Sequence, residues 1–324
     1  MSVLLIGDLH LTDRPRDAYR FDIFPWIAEQ QAKHKPAFTF IMGDLCDQKD
    51  RHSATLVNRV VDSLTALPDT FIIMGNHDYI DRDNPFFNFL NKLEGVLFIT
   101  KQMVFDEIAV IPHYRTQEEF NAACREIDDV EILLLHNTFD GAISETGKKL
   151  TGLRLHPALS HATRIYAGDV HKPQKSNEIT YVGAPYHIRF GDDYKPRCLL
   201  VSPGKADQEL YFEAPRKWKL TVHDVNDLIS NRKLCKGDQV KITIELDKEE
   251  AVDWKKHRNQ VQVVCDEKEL EVFGIDLKIN TTQKRASALR LTKTPNEIFA
   301  AFCRAEGLGD QTKDAGKSIL EDNA

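Results

Sequence analysis

Short apolar runs punctuate the first two hundred residues, at 3–6, 38–42, 70–74, 96–99, 108–111, 132–135, 164–167, 179–182 and 198–201. Each is rich in β-branched or aromatic residues and bounded by polar turns, as strands buried on both faces are. Between the early runs, segments 21–34 and 54–67 read as helices. In the second, Leu56, Val60, Leu64 and Leu67 fall on one face. Strands alternating with helices predict a layered α/β core over residues 1–203, β-sheets flanked by helices.

Beyond Pro203 the texture changes. Strand-like pieces at 219–222, 239–245 and 276–280 surround charged, helix-like stretches. This pattern predicts a smaller α+β domain over 204–291. The chain then turns at 292–295 into helical stretches at 296–305 and 312–320, parted by Gly307 and Gly309, so that 292–324 forms a C-terminal helical segment. Neither internal repeats nor low-complexity tracts occur.

Composition narrows the class. Of 324 residues, 42% are hydrophobic and 29% charged, enough apolar material for a real core. No stretch approaches the roughly 20 apolar residues of a membrane span, and MSVLLIGDLH lacks the basic flank of a signal peptide, so a cytoplasmic location is expected. The six cysteines form no C-x-x-C pair, which fits reduced thiols. A formal net charge of −7 argues against a chain that coats nucleic acid. It leaves open an enzyme that meets DNA through metal ions and a local basic surface.

Five polar clusters follow the ends of apolar runs: Gly7-Asp8-Leu9-His10, Gly43-Asp44-Leu45-Cys46-Asp47, Gly75-Asn76-His77-Asp78, His136, and Gly168-Asp169-Val170-His171. Taken singly, Gly-Asn-His-Asp reads equally well as a turn, and the others read more readily as caps, turns or satisfied polar residues. Together they place carboxylates, imidazoles and an amide beyond the carboxyl ends of strands, where α/β proteins gather ligands. Glycine ahead of four clusters allows sharp turns and close approach. The donors suit Mn²⁺, Fe²⁺ or Zn²⁺ better than a thiolate site would.

The order Asp-x-His, Gly-Asp, Gly-Asn-His-Asp, His, Gly-x-x-His resembles the calcineurin-like metallophosphoesterase signature. The resemblance implies that Asp8, His10, Asp44 and His171 hold a first metal ion, and that Asp44 bridges to a second completed by Asn76, His136 and Asp169. It also implies that His77 protonates the leaving oxygen or steadies the phosphate, with Asp78 orienting it. Two ions clamp the attacking and leaving oxygens of an in-line displacement, so no protein nucleophile is needed. The family usually reads Gly-His-x-His at its last motif. Here Asp169 stands in the histidine's place, which would harden the second site toward Mn²⁺ or Mg²⁺ and add negative charge there.

Within that superfamily the chain looks similar to SbcD-type nucleases. The likeness lies in Ile6-Gly7-Asp8-Leu9-His10-Leu11, in Leu56-Val57-Asn58-Arg59-Val60-Val61, and in Tyr181-Val182-Gly183-Ala184-Pro185 followed by Gly191-Asp192. Its short length resembles the phage versions, for which the location would be the host cytoplasm. This implies a manganese-dependent DNA exonuclease, with endonuclease activity as a further expectation, serving DNA repair, recombination or replication. It also implies a homodimer, and an SbcC-like ATPase bound through the C-terminal segment. Two alternatives stay open: a small-molecule phosphodiesterase of the same fold, and a degenerate scaffold that has lost one metal, which only Asp169 favours. Arg14, Arg16, Arg20, Lys172 and Lys175 are either phosphate contacts or ordinary solvated surface. The same holds for Lys255-Lys256-His257-Arg258. Phe86, Phe87, Phe89 and Leu90 read as core, with a dimer contact as the lesser reading.

Overall fold

The computed structural model describes residues 1–127 and 130–280, together with 298, 299, 302–304, 307, 309 and 313. Apart from those last few, the expected C-terminal helical segment over 292–324 lies outside the described residues. The chain divides into two compact units, Met1–Ile244 with Lys255–Asp276, and Glu245–Trp254 with Leu277–Ala324.

Four parallel strands open the chain: β1 (Val3–Ile6), β2 (Phe38–Ile41), β3 (Thr70–Ile73) and β4 (Val96–Ile99). A second sheet follows from β5 (Met103–Phe105), β6 (Ile108–Ile111), β7 (Ile132–His136), β8 (Arg164–Gly168), β9 (Gln174–Ser176) and β10 (Ile179–Tyr181). Then β11 (Cys198–Val201) and β12 (Gln208–Leu210) return to the first sheet. The orders are β12-β11-β1-β2-β3-β4 and β5-β6-β7-β8-β10-β9.

Alternation along the strands builds the layers. Val3, Leu5, Phe40 and Ile73 of the first sheet share one buried cluster with Val110, Ile132, Leu134 and Tyr166 of the second. The opposite face of the first sheet, with Leu4, Ile6, Ile41 and Ile72, packs with α1 (Ile23–His34) and α2 (Ala54–Thr65) through Ile27, Leu56, Val60 and Leu64. On the outer face of the second sheet, Ala109, Ile111, Leu133 and Leu135 meet Phe120 and Cys124 of α3 (Gln117–Cys124). The result is helix, sheet, sheet, helix, the layered α/β core expected. Each fully buried large side chain contributes about 1.5–3 kcal/mol to holding the layers together.

Every expected strand of residues 1–203 is present, to within a residue at its ends. Unforeseen were β5, β9 and β12, three-residue strands at sheet edges with partly exposed side chains, too short to print a periodic signal. The helix expected from residue 21 begins at Ile23, because Pro15–Asp22 forms a 3-10 stretch instead. At the start of α2 the Ser53 hydroxyl accepts from Leu56 N, an N-cap that fixes where the helix begins. Phe87 and Leu90 are fully buried, and Phe86 and Phe89 pack against the same core.

The stretch after residue 203 holds β13 (Lys217–Val222), α4 (Val225–Ser230), β14 (Gln239–Asp247), α5 (Trp254–Glu267) and β15 (Glu271–Asn280), with the strands in the order β13-β14-β15. All six cysteines are free. Among the described residues, no helix is long and apolar enough to cross a membrane.

Candidate metal centre

The strand ends of both sheets deliver the polar clusters. β1 leads into Asp8 and His10, β2 into Asp44, and β3 into Asn76 and His77. From the second sheet, β7 ends on His136 and β8 leads into Asp169 and His171. Sharp left-handed turns aim several of them: His10, Asp44 and Asp169 have φ of 44°, 50° and 74°. Such backbone is rarely adopted by residues with a Cβ, and it tends to cluster at functional sites. Two glycines make room. A Cβ on Gly43 would lie 2.0 Å from His136 Nδ1, and one on Gly75 would lie 2.3 Å from Asp44 Oδ1.

Among the described residues, three sets of donor atoms each lie within 4.8 Å of one another: Asp8, His10 and His171; His10, Asp44 and His77; and Asp8, Asp44 and His136. His10 Nε2 and His171 Nε2 stand 2.9 Å apart. Asp44 lies between the groups, with Oδ2 3.5 Å from His10 Nε2 and Oδ1 3.4 Å from His136 Nε2. Asn76 Oδ1 is 3.4 Å from His136 Nε2. The Asn76 oxygen faces only acceptors; turned over, its NH₂ would donate to Asp44 Oδ1 at 2.9 Å and Oδ2 at 3.0 Å.

These residues fit divalent cations. Asp8 and Asp44 are buried carboxylates, and Asp8 Oδ2, His10 Nδ1 and His171 Nδ1 are buried without a hydrogen bond. Buried charge of one sign demands compensation. An amide oxygen held against a carboxylate is relieved equally well by turning the amide or by a cation. Burial pushes Asp8 up, despite His136 and His171 nearby. Burial likewise pulls His10 well below the usual imidazole range. His136 moves the other way: burial opposes its charging, yet Asp44 and Asp8 hold it well above its ordinary value.

The remaining expected residues take other places. Asp169 enters none of the donor groups: its carboxylate accepts from Thr138 Oγ1 at 2.6 Å, while its N–H donates to Asp8 Oδ1 at 2.8 Å. Asp78 does not orient His77. Its buried carboxylate accepts from Asp44 N, Leu45 N and Gly75 N, at 3.0, 3.0 and 2.7 Å, and so joins the loops after β2 and β3. His77 is set instead by the Asp47 carbonyl, which accepts from Nδ1 at 2.6 Å. His136 Nδ1 likewise donates to the Met42 carbonyl.

A cleft of about 450 Å³ opens beside His10, His77 and His171, and Arg14, Arg16, Arg189, Lys219 and Lys241 line it. Arg20 and Lys217 also reach it but are committed within the fold. Arg20 donates to the carbonyls of His10 and Ile188, and Lys217 Nζ lies 2.7 Å from Asp17 Oδ1. Of the basic residues singled out from sequence, Arg14, Arg16 and Arg20 are at the cleft, whereas Lys172 and Lys175 do not line it. Arg189, Lys219, Lys241 and Thr138 went unforeseen. The one available hint was the strand alternation that sets Lys217 and Lys219 on one face of β13.

A model of the calcineurin-like phosphoesterase family matches residues 1–174, which include every residue of the three donor groups. No curated protein matches the chain.

Proposed function

The chain belongs to the calcineurin-like phosphoesterase family, metal-dependent hydrolases of phosphoesters, and from that premise we propose that it is a DNA nuclease of the SbcD type. The observation that carries this reading is the cleft: five cations, Arg14, Arg16, Arg189, Lys219 and Lys241, line it together with His10, His77 and His171, although Arg14 also pairs with Asp47 at 3.9 Å and Arg16 and Lys241 lie over the rings of Phe273 and Phe190. The chain is acidic overall, with a net charge of −7, and this local reversal of sign is the charge that a polyanion requires.

When bound, two divalent ions, Mn²⁺ by the hardness of the donors, supply the positive charge that an in-line displacement at phosphorus requires. Asp8, His10, Asp44, His136 and His171 hold them, with Asn76 in reach. His77 gives its Nε2 proton to the leaving oxygen, because the Asp47 carbonyl takes Nδ1. The basic wall keeps the neighbouring phosphates in register. The biological setting we propose, DNA repair, recombination or replication as a homodimer with an SbcC-like ATPase, rests on the resemblance of the sequence motifs and on the layout of the tail.

The test is degradation of linear double-stranded and single-stranded DNA by the full chain in Mn²⁺, with and without an SbcC-like ATPase and ATP, beside His77→Ala. Cutting that needs Mn²⁺ and is lost in the variant supports the nuclease. Hydrolysis of bis(p-nitrophenyl) phosphate without any DNA cutting would move the reading to a small-molecule phosphodiesterase. Loss of both activities in the wild type would leave a scaffold.

A further inference from the structure

We propose that Glu145 is a positioning residue, which holds His171 with Nε2 turned toward the donor group and Nδ1 turned away. The inference rests on reading the donor groups as a metal centre. Two of the centre's histidines are set by backbone: His136 by the Met42 carbonyl and His77 by the Asp47 carbonyl. Among the described residues, His171 has no such acceptor. Its Nδ1 is buried and makes no hydrogen bond, and Glu145 Oε1 stands 3.3 Å from it. The two side chains are 8% and 18% exposed, so water does little to screen the pair. Ligand histidines ordinarily give their outer N–H to a carboxylate or carbonyl, which fixes ring orientation and raises basicity.

The loop that carries Glu145 is anchored where this role needs it. Ile143 N donates to Gln174 Oε1 at 2.8 Å, and Gln174 Nε2 returns to Ile143 O at 2.7 Å. Gln174 lies three residues beyond His171. Ser144 N donates to Lys148 O at 2.8 Å, closing a turn around Glu145. Earlier in the same loop, Thr138 takes the Asp169 carboxylate. The segment after β7 therefore grips the last motif twice, turning Asp169 out of the donor group and His171 into it.

Titration of Mn²⁺ into the metal-stripped full chain, followed by calorimetry, tests this in wild type, Glu145→Gln and Glu145→Ala. Melting of each protein in chelator runs alongside. The expected result is that one binding event weakens about 10–100-fold in Glu145→Ala. It weakens less in Glu145→Gln, whose amide oxygen still accepts, and melting in chelator stays unchanged. Two ions bound by Glu145→Ala with wild-type affinity would overturn the proposal. So would equal weakening of both events together with a lowered melting temperature, which marks a structural role. A wild type that binds no Mn²⁺ at all would sink the reading of the centre itself.

Discussion

The buried centre and the cleft beside it are built from opposite materials. The centre is acidic, almost closed to water, and set by main chain: left-handed turns at His10, Asp44 and Asp169, glycines where side chains would collide, and carbonyls behind two histidines. The cleft is basic and open, and its wall is made of long side chains drawn from Arg14 to Lys241. The centre demands geometry, because a ligand displaced by an ångström no longer coordinates. The cleft demands only sign and reach, because phosphate contacts act largely through charge. A mutation should therefore do different things on the two sides.

The sharpest contrast is at their border. His77→Ala should lower kcat about 10²–10⁴-fold while Mn²⁺ still binds with wild-type stoichiometry; loss of metal in the variant would place His77 in the centre. Next comes the pin beneath the cleft. Lys217→Ala removes the nearer cation from the buried Asp17 carboxylate, leaving Arg20 at 3.6 Å and the Thr12 hydroxyl, and should cost about 1–3 kcal/mol in denaturant unfolding. Burial works to raise Asp17, yet Arg20 and Lys217 hold it below its ordinary value of 3.8. Its folded pKa is thus depressed, so its stabilisation is complete above about pH 4 and is lost as pH falls through the folded value. Asp17→Asn should remove that acid-side slope.

In the centre, Gly43→Ala drives a Cβ to within 2.0 Å of His136 Nδ1 at a φ of 112°. It should destabilise by about 2–3 kcal/mol, read by melting in chelator. The mildest effect belongs to the cleft wall. Arg189→Ala should raise KM for DNA about tenfold, and reduce the slope of log affinity against log salt by about 1. A loss of kcat instead would erase the division between the two regions.

The same division explains what the sequence disclosed. The residues that the structure gathers at the centre follow strand ends within four residues or, for His136, close the strand itself, so the meeting of Asp8, His10, Asp44, Asn76, His136 and His171 was legible. Asp78 misled because neighbours in sequence need not touch: its side chain turns back onto three amides while His77 faces the cleft. Asp169 is turned aside by Thr138, which is remote from it in the chain and leaves no local trace. The cleft was legible only at Arg14, Arg16 and Arg20, since its other cations come from positions 189 to 241, which only the folded chain brings near.

The place of β1 in its sheet also sets a schedule. Val3 pairs with Phe38 on one side and with Val201 on the other. During synthesis the first neighbour arrives early, but nearly two hundred residues must be added before the second exists. At about 5–20 residues per second, that takes on the order of 10–40 s. Throughout that interval one flank of the strand that leads into Asp8 and His10 is an unpaired ribbon edge beside the ribosome exit, open to any other nascent chain. Completion of the sheet, not its initiation, is then the moment at which the protein becomes safe from its neighbours.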